Sequence, residues 1–558
     1  MAGFLQQPPV LEDAWASDRV LRETLEFYLG DPGLFASAEG FLAGVGRRAT
    51  AAETLALSAR AEREPPEHIP FSPFGERIDE IRVSDAYVEL GKWGVEIGVT
   101  ALPYEDTDYG DKARTVWAAL MMLWGPSSAL YSCPIAMTDA AARTLMVHGT
   151  TAEESAVVER LTTRDVTRAW TSGQWMTEMT GGSDISRTQT IARRDSDGNW
   201  RLYGTKWFTS ATTSEMALTL ARPEGAEEGS RTLAMFRIER FLSEGSRNNI
   251  AVRRLKDKLG TRSLPTAELE LKGALAYPVG DPLEGGGVRR IATMLNITRI
   301  HNALGSVGSL ARGLAWARAY ARVREVFGRP LNEMPAHLAT LTDIAVDHAA
   351  ALALVMRCCE LTGRIEHGTA SEHDEAVLRG LTPITKLATA RWAVAGAAEA
   401  MEAVGGVGYC EDSTLPALVR NTHVQPIWEG TTNVLSLDLL RAAHKEGAID
   451  ALFADIESTT EAIAGDQAVS DTAAAIKSAL GELRERWGRM GSEDPEASAR
   501  SFALSVASTM ACALLAKQGA WAAERGDLGT AARAERLAGR RLLQPLPPSD
   551  LGLGMDRG

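Results

Sequence analysis

The stretch WMTEMTGGSDISRTQT, residues 175–190, marks the point at which the chain changes from helical to strand-forming sequence. Before it, segments such as ARTVWAALMMLW (113–124) carry apolar residues at three- and four-residue spacing, which is typical of helices packed on a shared core. After it, TIARRDSDGNWRLYGTKWFTS (190–210) holds two β-prone runs around a break at Asp197-Gly198, which predicts a hairpin. The sequence therefore predicts an α+β fold in which a β region interrupts the helices.

The rest of the chain continues this order of strands and then helices. Three further β-prone runs predict strands: EMALTLARP (215–223), TLAMFRIERF (232–241) and TAELELKG (266–273). Apolar residues on a helical period predict long helices over 289–326, 336–365, 374–404 and 431–444. The chain therefore divides into four predicted domains: a helical domain (1–171), a β domain (172–288), a helical bundle (289–445) and an extra helical domain (446–558).

Bulk properties exclude several classes of protein. The chain has 558 residues, 45% of them hydrophobic, and a formal net charge of −14, which argues against a surface that grips nucleic acid over its whole extent. No basic start followed by an apolar run and no apolar stretch of about 18 residues is present, so we expect a cytoplasmic protein that does not span a membrane. Five cysteines without a CxxC pair fit reduced thiols, and the histidine spacing predicts no metal site.

The loop within residues 175–190 is the first candidate binding site. Adjacent glycines, Gly181 and Gly182, allow a tight turn and a close approach of the backbone to a ligand. Thr177 and Ser183 offer hydroxyl groups to a phosphate or to the polar edge of a ring. A plain helix-to-strand turn with an Asx cap is the alternative interpretation.

The strand KWFTS (206–210) strengthens this hypothesis. Strand alternation predicts that Trp207 and Thr209 face the same side, opposite to Phe208, where they would cover one face of a flat heteroaromatic ring. A single tryptophan at such a position is more often part of the core, and that alternative stays open.

Two later segments are suited to a dinucleotide, although the chain has no GxGxxG or Walker A motif. In YARVREVFGRPL (320–331), a predicted helix ends at Gly328 with Arg324 one turn earlier, where the guanidinium can pair with a pyrophosphate. In EAMEAVGGVGYCEDS (399–413), a helix breaks at Gly405-Gly406 and leaves bare backbone for a ligand. A solvated arginine and a simple C-cap are the corresponding alternatives.

The stretch PIWEGTTNV (426–434) holds one carboxylate, Glu429, between a tryptophan and a glycine. Taken alone, this pattern is typical of an acid at the start of the helix that follows Glu429, where a negative charge is favourable.

Six motifs occur in one order along the chain: TEMTGGSD (177–184), KWFT (206–209), KLGTR (258–262), REVFG (324–328), GGVGY (405–409) and EGT (429–431). In this order they resemble the acyl-CoA dehydrogenase family of flavoproteins over roughly residues 70–445. CPIAMT (133–138), RLKDKLGTRS (254–263) and the helical region after residue 445 resemble the AidB-like (adaptive alkylation-response) branch of that family.

The resemblance implies the family fold, with an N-terminal helical domain, a middle β-barrel domain and a C-terminal helical bundle, here followed by an extra C-terminal helical domain. It implies FAD as cofactor, an acyl-CoA or related substrate, a homotetramer built as a dimer of dimers and an electron-transfer partner. It places these residues around FAD: Met176, Thr177, Gly182, Ser183, Trp207, Thr209, Arg324, Phe327, Gly405, Gly406 and Thr431. Glu429 falls on the catalytic base that removes the α-proton, and Arg299 and Trp428 fall on the substrate pocket.

The chain departs from the family pattern at a few positions. Glu402 stands where the family usually has glutamine, and Trp428 stands where a tyrosine commonly precedes the base, which predicts a reshaped acyl pocket.

Two alternative functions stay open beside the dehydrogenase: a DNA-associated flavoprotein with weak dehydrogenase activity, and a flavin oxygenase on the same fold. For the first, Arg533, Arg536 and Arg540 lie on one predicted helical face, although a solvent or subunit face is the more common explanation of such a pattern.

Overall fold

A computed structural model describes residues 6–490, 495–540 and 542–545 of the chain. The chain forms two compact units, each built from separate segments. The helical unit takes its described residues from segments 1–47, 107–123 and 302–558, and the mixed unit consists of segments 48–106 and 124–301. The β region therefore shares its unit with helices from the first third of the chain.

The α-helices begin with a group that lies before or within the β region. These are α1 Ala14–Ser17, α2 Arg19–Leu29, α3 Pro32–Thr50, α4 Ala52–Arg63, α5 Asp85–Glu96, α6 Ala113–Trp124, α7 Ser132–His148 and α8 Ala152–Leu161. The later helices are α9 Gly287–Val323, α10 Pro335–Glu366, α11 Glu372–Val404, α12 Gly406–Tyr409, α13 Leu415–Thr422, α14 Thr432–Glu446, α15 Ala448–Ile463, α16 Ser470–Met490, α17 Pro495–Ala523 and α18 Gly529–Gly539.

The mixed unit contains a closed sheet. Its strands are β3 Ser172–Trp175, β4 Ile191–Arg194, β5 Trp200–Ser210, β6 Met216–Pro223, β7 Ala234–Glu239, β8 Ile250–Leu255 and β9 Thr266–Pro278, preceded by a hairpin of β1 Glu67–Phe71 and β2 Arg77–Arg82. The order β6-β4-β5-β9-β7 closes on itself because β7 also pairs with β6. Trp175, Trp200 and Phe236 are buried inside this ring. The predicted β-barrel is confirmed.

The predicted hairpin at Asp197-Gly198 is confirmed. Strands β4 and β5 pair antiparallel with Arg194 opposite Trp200, and Gly198 has a φ of 83° in the connecting turn. The predicted strands near 215–223, 232–241 and 266–273 correspond to β6, β7 and β9. Strands β1, β2, β3 and β8 were not predicted.

The four long helices predicted after residue 289 correspond to α9, α10, α11 and α14. The predicted helix end at Gly328 is wrong, because α9 ends at Val323. A two-strand hairpin follows, formed by β10 Glu325–Val326 and β11 Arg329–Pro330. Phe327 and Gly328 take φ values of 51° and 79° in its two-residue turn, which is the backbone that a tight hairpin requires.

The extra C-terminal helices pack inside the helical unit. Arg357 on α10 donates to Asp455 on α15 at 2.9 Å, and Thr24 on α2 hydrogen-bonds Gln518 on α17 at 3.1 Å. By length and composition α10 and α17 are each able to cross a membrane, yet 67% and 83% of their most apolar windows are buried inside the protein. Burial of this extent is what interior helices of a bundle show.

All five cysteines are free thiols. Burial raises the pKa of Cys358 to about 12 and the pKa of Cys512 to about 12, so both thiols stay protonated at neutral pH.

Candidate functional site

The loop at 177–184 is joined to β5 inside the mixed unit. The backbone N–H of Trp207 donates to the carbonyl of Thr177 at 2.9 Å, so the two predicted ring contacts are neighbours. Lys206 Nζ lies 2.8 Å from Glu178 Oε1, and both side chains are buried, which ties the loop and strand together a second time. The structure therefore brings the first two candidate motifs into one place.

Glu178 accepts several hydrogen bonds in this buried position. Besides Lys206, the hydroxyl of Thr190 donates to its Oε1 at 2.6 Å and the N–H of Gln189 donates to its Oε2 at 2.6 Å. Burial alone would raise the pKa of Glu178, but the charge of Lys206 and these donors hold it below its usual value. Burial lowers the pKa of Lys206 in spite of the carboxylate. Sequence reasoning missed this pair, although both residues stand inside matched motifs.

Gly182 and Ser183 are exposed at the tip of the loop. A Cβ added to Gly182 would lie 3.2 Å from the side chain of Thr177, so a residue larger than glycine would crowd that position. Asp184 accepts from the N–H of Ser186 at 3.0 Å and caps the short turn Ile185–Arg187. The Asx cap proposed as an alternative is therefore present, one residue beyond the exposed glycine and serine.

The prediction that Trp207 and Thr209 face the same side of the strand is wrong, because side chains do not alternate regularly between Lys206 and Thr209. The pairing register of β5 with β9 shifts there, so Trp207 and Phe208 lie in a β-bulge. Thr209 is fully buried, and its hydroxyl donates to the carbonyl of Ala267 at 2.6 Å. Trp207 is half-buried. The indole therefore does not share a simple strand face with Thr209.

The indole of Trp207 makes a cation–π contact with Lys256. Lys256 Nζ lies 3.5 Å from the indole centroid and 2.6 Å from Glu268 Oε1. This contact fixes the indole beside the loop.

Arg299, the predicted substrate-pocket residue, is half-buried on α9 in the mixed unit. Two residues later, His301 Nε2 lies 2.7 Å from Asp139 Oδ2, and the hydroxyl of Tyr104 donates to Asp139 Oδ1 at 2.5 Å. The buried pair of His301 and Asp139, extended by the half-buried Tyr104, joins α9 to α7. Sequence spacing gave no signal for it, because its members are far apart along the chain.

In the helical unit, Arg324 follows the end of α9 and donates to the side chain of Gln6 at 3.3 Å. Phe327 stands at the tip of the β10–β11 hairpin and is fully exposed. Its φ of 51° lies in the left-handed region, which the two-residue turn of the hairpin requires.

The helix α11 ends before Gly405, which has a φ of 71° that favours glycine. A Cβ added to Gly405 or Gly406 would meet open space, so the backbone is bare here as predicted. Tyr409, at the end of the same motif, is 79% exposed.

Glu429 is half-buried and has a φ of 59°, a left-handed backbone that is uncommon for a residue with a side chain. The neighbouring indole of Trp428 donates to Gln425 Oε1 at 3.1 Å, and the buried Lys386 donates to the carbonyl of Gly430 at 2.6 Å. These contacts fix the side chain of the residue before Glu429 and the backbone of the residue after it.

Glu429 precedes the helix α14, as the interpretation of this residue as a helix-start acid expects. The helix α14 is capped by Thr431, whose hydroxyl accepts from the N–H of Val434 at 3.5 Å. Glu429 lies two residues before that cap and outside the first turn. The helix dipole acts mainly within the first turn, so it favours a charge at Glu429 less than a charge inside that turn.

The candidate residues fall into two groups. The mixed unit holds Met176, Thr177, Gly182, Ser183, Trp207, Thr209 and Arg299, and the helical unit holds Arg324, Phe327, Gly405, Gly406, Trp428, Glu429 and Thr431. Each group is fixed by the contacts of its own unit.

The residues present fit FAD. The guanidinium of Arg324 and the uncovered backbone N–H groups at Gly405-Gly406 can donate hydrogen bonds to a pyrophosphate. The exposed Gly182-Ser183 backbone next to the indole of Trp207 suits the polar edge and flat face of a ring.

Two of the three arginines considered for DNA binding, Arg536 and Arg540, are paired with carboxylates within the helical unit. Arg536 donates to Asp343 at 2.8 Å, and Arg540 pairs with Asp343 and Asp347. These ion pairs favour a structural role for this helical face.

Four family models match consecutive parts of the chain. They are the Adaptive response protein AidB N-terminal domain (residues 6–166), the acyl-CoA dehydrogenase middle domain (173–274), the acyl-CoA dehydrogenase C-terminal domain (285–444) and the Acyl-CoA dehydrogenase 11 C-terminal domain-like family (447–538).

Individual proteins match over most of the chain. Acyl-CoA dehydrogenase family member 11 of Caenorhabditis elegans is 40% identical over 497 residues, which cover 87% of this chain and 79% of that protein. Putative acyl-CoA dehydrogenase AidB of Escherichia coli is 35% identical over 417 residues, covering 73% and 75% of the two chains. The crystal structure of C. elegans ACDH-11 in complex with C11-CoA matches with a TM-score of 0.93 and 36% identity, over 98% of this chain and 94% of that one.

Proposed function

The chain belongs to the acyl-CoA dehydrogenase family, and from this premise we propose that Glu429 is the base that removes the α-proton of an acyl-CoA thioester. The protein is an FAD-dependent oxidoreductase that acts on CH–CH groups. The observation that carries the role of Glu429 is its left-handed backbone, since strain of this kind persists where the surrounding structure enforces it and clusters at active sites.

The chain's own residues prepare Glu429 for this task. Lys386 holds the carbonyl of Gly430, and Gln425 orients the indole of Trp428, so the carboxylate has rigid neighbours on both sides. The apolar face of Trp428 excludes water when a substrate enters, which favours proton transfer to a carboxylate oxygen of Glu429. FAD, when bound, accepts the hydrogen and the electron pair that leave the β-carbon.

The substrate proposed is a fatty acyl-CoA. ACDH-11 of C. elegans has been solved with C11-CoA, and its similarity over nearly the whole chain supports a thioester of comparable length. Trp428 is larger than the tyrosine expected from the family pattern and restricts the width of the acyl group next to Glu429.

The active protein is proposed to be a homotetramer that passes its electrons to an electron-transfer partner in the cytoplasm. Exposed apolar side chains at two FAD motifs, Phe327 and Tyr409, support burial against a second copy. Five unpaired thiols support a reducing compartment.

Anaerobic titration of the FAD-loaded protein with acyl-CoA thioesters tests the base directly. Bleaching of the flavin spectrum reports transfer of electrons to FAD, and Glu429→Gln should slow it by about 100-fold or more, because general-base catalysis typically contributes that much. Glu457→Gln is the matched control, since Glu457 pairs with Arg484 at the surface, outside the matched motifs, and its loss should not affect bleaching. Equal bleaching by Glu429→Gln and the native protein, with equal FAD content, would sink the assignment.

A further inference from the structure

The helical unit contains a cleft of about 360 Å³ that includes none of the candidate FAD or substrate residues. Its polar wall is formed by Arg318 and Arg322 of α9, Arg533 of α18 and Asn332. Ala321 and Leu341, both buried, form part of its apolar floor. Three guanidinium groups therefore line one small cavity with an apolar base.

Two of these guanidinium groups lack a carboxylate partner. Among the described residues, the side chain of Arg318 has no hydrogen bond or ion pair, and the side chain of Arg533 donates only to the hydroxyl of Thr530, at 3.3 Å. Arg322 lies 2.9 Å from Glu12, but both side chains are about half exposed, and pairs of that kind hold little energy. The positive charge of the cleft is therefore only partly neutralised.

Asp18 and Glu23 lie near these arginines and offset part of their charge, but both have other partners, and Glu23 pairs with Arg19. Asp18 accepts from the N–H of Leu21 at 3.0 Å and lies 3.5 Å from His348, so it is already engaged. Arg318 is in part exposed to solvent. Partial loss of hydration lowers the pKa of its guanidinium against the attraction of Asp18 and Glu12, and the positive charges of Arg533 and Arg322 lower it further. An anion between the guanidinium groups would relieve this repulsion.

We propose that the cleft binds the phosphoryl group of a small phosphate monoester, with the organic part of the ligand resting on Ala321 and Leu341. Guanidinium groups match the oxygen geometry of phosphate and bind it through paired N–H donors. The volume lies within the range of small-molecule sites and exceeds what inorganic phosphate alone would fill. This site is separate from the proposed reaction, so it does not depend on the role of Glu429.

Calorimetric titration of the FAD-loaded protein with inorganic phosphate, glycerol 3-phosphate and adenosine 5′-monophosphate tests the proposal. We expect saturable binding of phosphate with one site per chain, and tighter binding of at least one of the two esters because the floor adds apolar contact. Arg533→Gln should weaken phosphate binding about tenfold or more, since a hydrogen bond to a charged group is lost. The phosphate affinity of Arg533→Lys should lie between those of Arg533→Gln and the native protein, because lysine keeps the charge but lacks the planar guanidinium.

Arg536→Gln is the matched control, because Arg536 lies on the same helix but pairs with Asp343 and does not line the cleft. It should bind phosphate as the native protein does. Should the Arg533 variants fail to fold, Asn332→Ala at the exposed rim provides a second test and should also weaken binding.

Three results would overturn the proposal. One is a phosphate signal that chloride reproduces at equal ionic strength, in the native protein. Another is equal phosphate affinity in Arg533→Gln, Asn332→Ala and the native protein. The third is loss of FAD from the Arg533 variants, which would assign the cleft to the flavin site. FAD content and bleaching by acyl-CoA should stay unchanged, so failure here differs from failure of the Glu429 assignment.

Discussion

Lys206 Nζ lies 2.8 Å from Glu178 Oε1 in the mixed unit, and the two side chains are 0% and 4% exposed. This ion pair joins the loop that bears Thr177 to the strand that bears Trp207. Removing two charges from water is costly, and the pair persists because hydrogen bonds satisfy the carboxylate. The placement of the proposed flavin contacts therefore depends on a buried electrostatic contact as well as on the sheet.

Lys206→Met should lower the free energy of unfolding by about 3–5 kcal/mol, because it leaves Glu178 charged and buried without its partner. The pKa of Glu178 is lowered in the folded protein, so its contribution to stability is present above the unfolded pKa of about 4.3 and is lost as pH falls. In the variant, protonation of Glu178 removes the unpaired charge, so its deficit should shrink toward about pH 4. Urea unfolding across this pH range measures both effects.

The double variant Lys206→Met/Glu178→Gln is the control for this prediction. It should recover part of the stability at neutral pH, since the unpaired charge is gone. A deficit in Lys206→Met that does not change with pH would contradict the electrostatic account.

Glu429→Gly should be about 1 kcal/mol more stable than Glu429→Ala, because glycine adopts a φ of 59° without the clash that a Cβ creates. Both variants should lose flavin bleaching, since neither carries a carboxylate. Chemical denaturation compares their stabilities. If alanine were as stable as glycine at this position, the backbone of Glu429 would not be strained.

The long helices could be predicted from the sequence because their apolar residues repeat on a local period, as the agreement of 374–404 with α11 shows. The strand β8 could not be predicted, since IAVRRL (250–255) carries two arginines and is a strand only by pairing with β9. The hairpin after α9 was misread because the turn at Phe327 and Gly328 is visible only in the backbone angles.

For the candidate site, as for the fold, the sequence was enough to predict some features but not others. Motif order was enough to select Thr177, Trp207 and Glu429 as candidates. It did not reveal the Glu178–Lys206 ion pair, which forms between residues 28 positions apart and depends on burial. Nor did it reveal the bulge beside Trp207, because strand alternation is a local rule that pairing with β9 overrides.

Trp428→Phe should cost about 1–3 kcal/mol of stability, because it removes the indole donor and leaves the side-chain oxygen of the buried Gln425 without that partner. The smaller ring also widens the space next to Glu429, so bleaching should shift toward bulkier acyl-CoA thioesters. Thermal unfolding and a thioester series measure the two effects. The double variant Trp428→Phe/Gln425→Met should regain stability while keeping the altered preference.

Arg536→Ala/Arg540→Ala should leave retention on duplex DNA at low salt unchanged, because both side chains are paired with Asp343 and Asp347 in the folded protein. Loss of these partly exposed pairs should lower stability by at most about 1 kcal/mol each. Column retention across a salt gradient checks the first expectation. Retention by the native protein that disappears in the variant would restore the DNA-associated function.

Lys258, in the matched segment KLGTR, donates to the carbonyl of Leu264 at 2.6 Å and to the hydroxyl of Thr266 at 3.0 Å. Burial lowers the pKa of Lys258 from 10.5 to about 8. Between these values the folded protein holds the amine neutral while the unfolded chain is protonated, so folding releases a proton and native stability should rise with pH. The energetic cost of the buried charge is fully present below pH 8.

Lys258→Met removes this titration. The stability difference between variant and native protein should therefore shift in favour of the native protein as pH rises from 7 to 10.5, by on the order of 2 kcal/mol. Lys272→Met is the control, because Lys272 is about half exposed beside Glu270 and should give no such shift. Urea unfolding at several pH values measures this difference. If the free energies of unfolding of Lys258→Met and the native protein changed in parallel with pH, burial would not perturb the pKa of this amine.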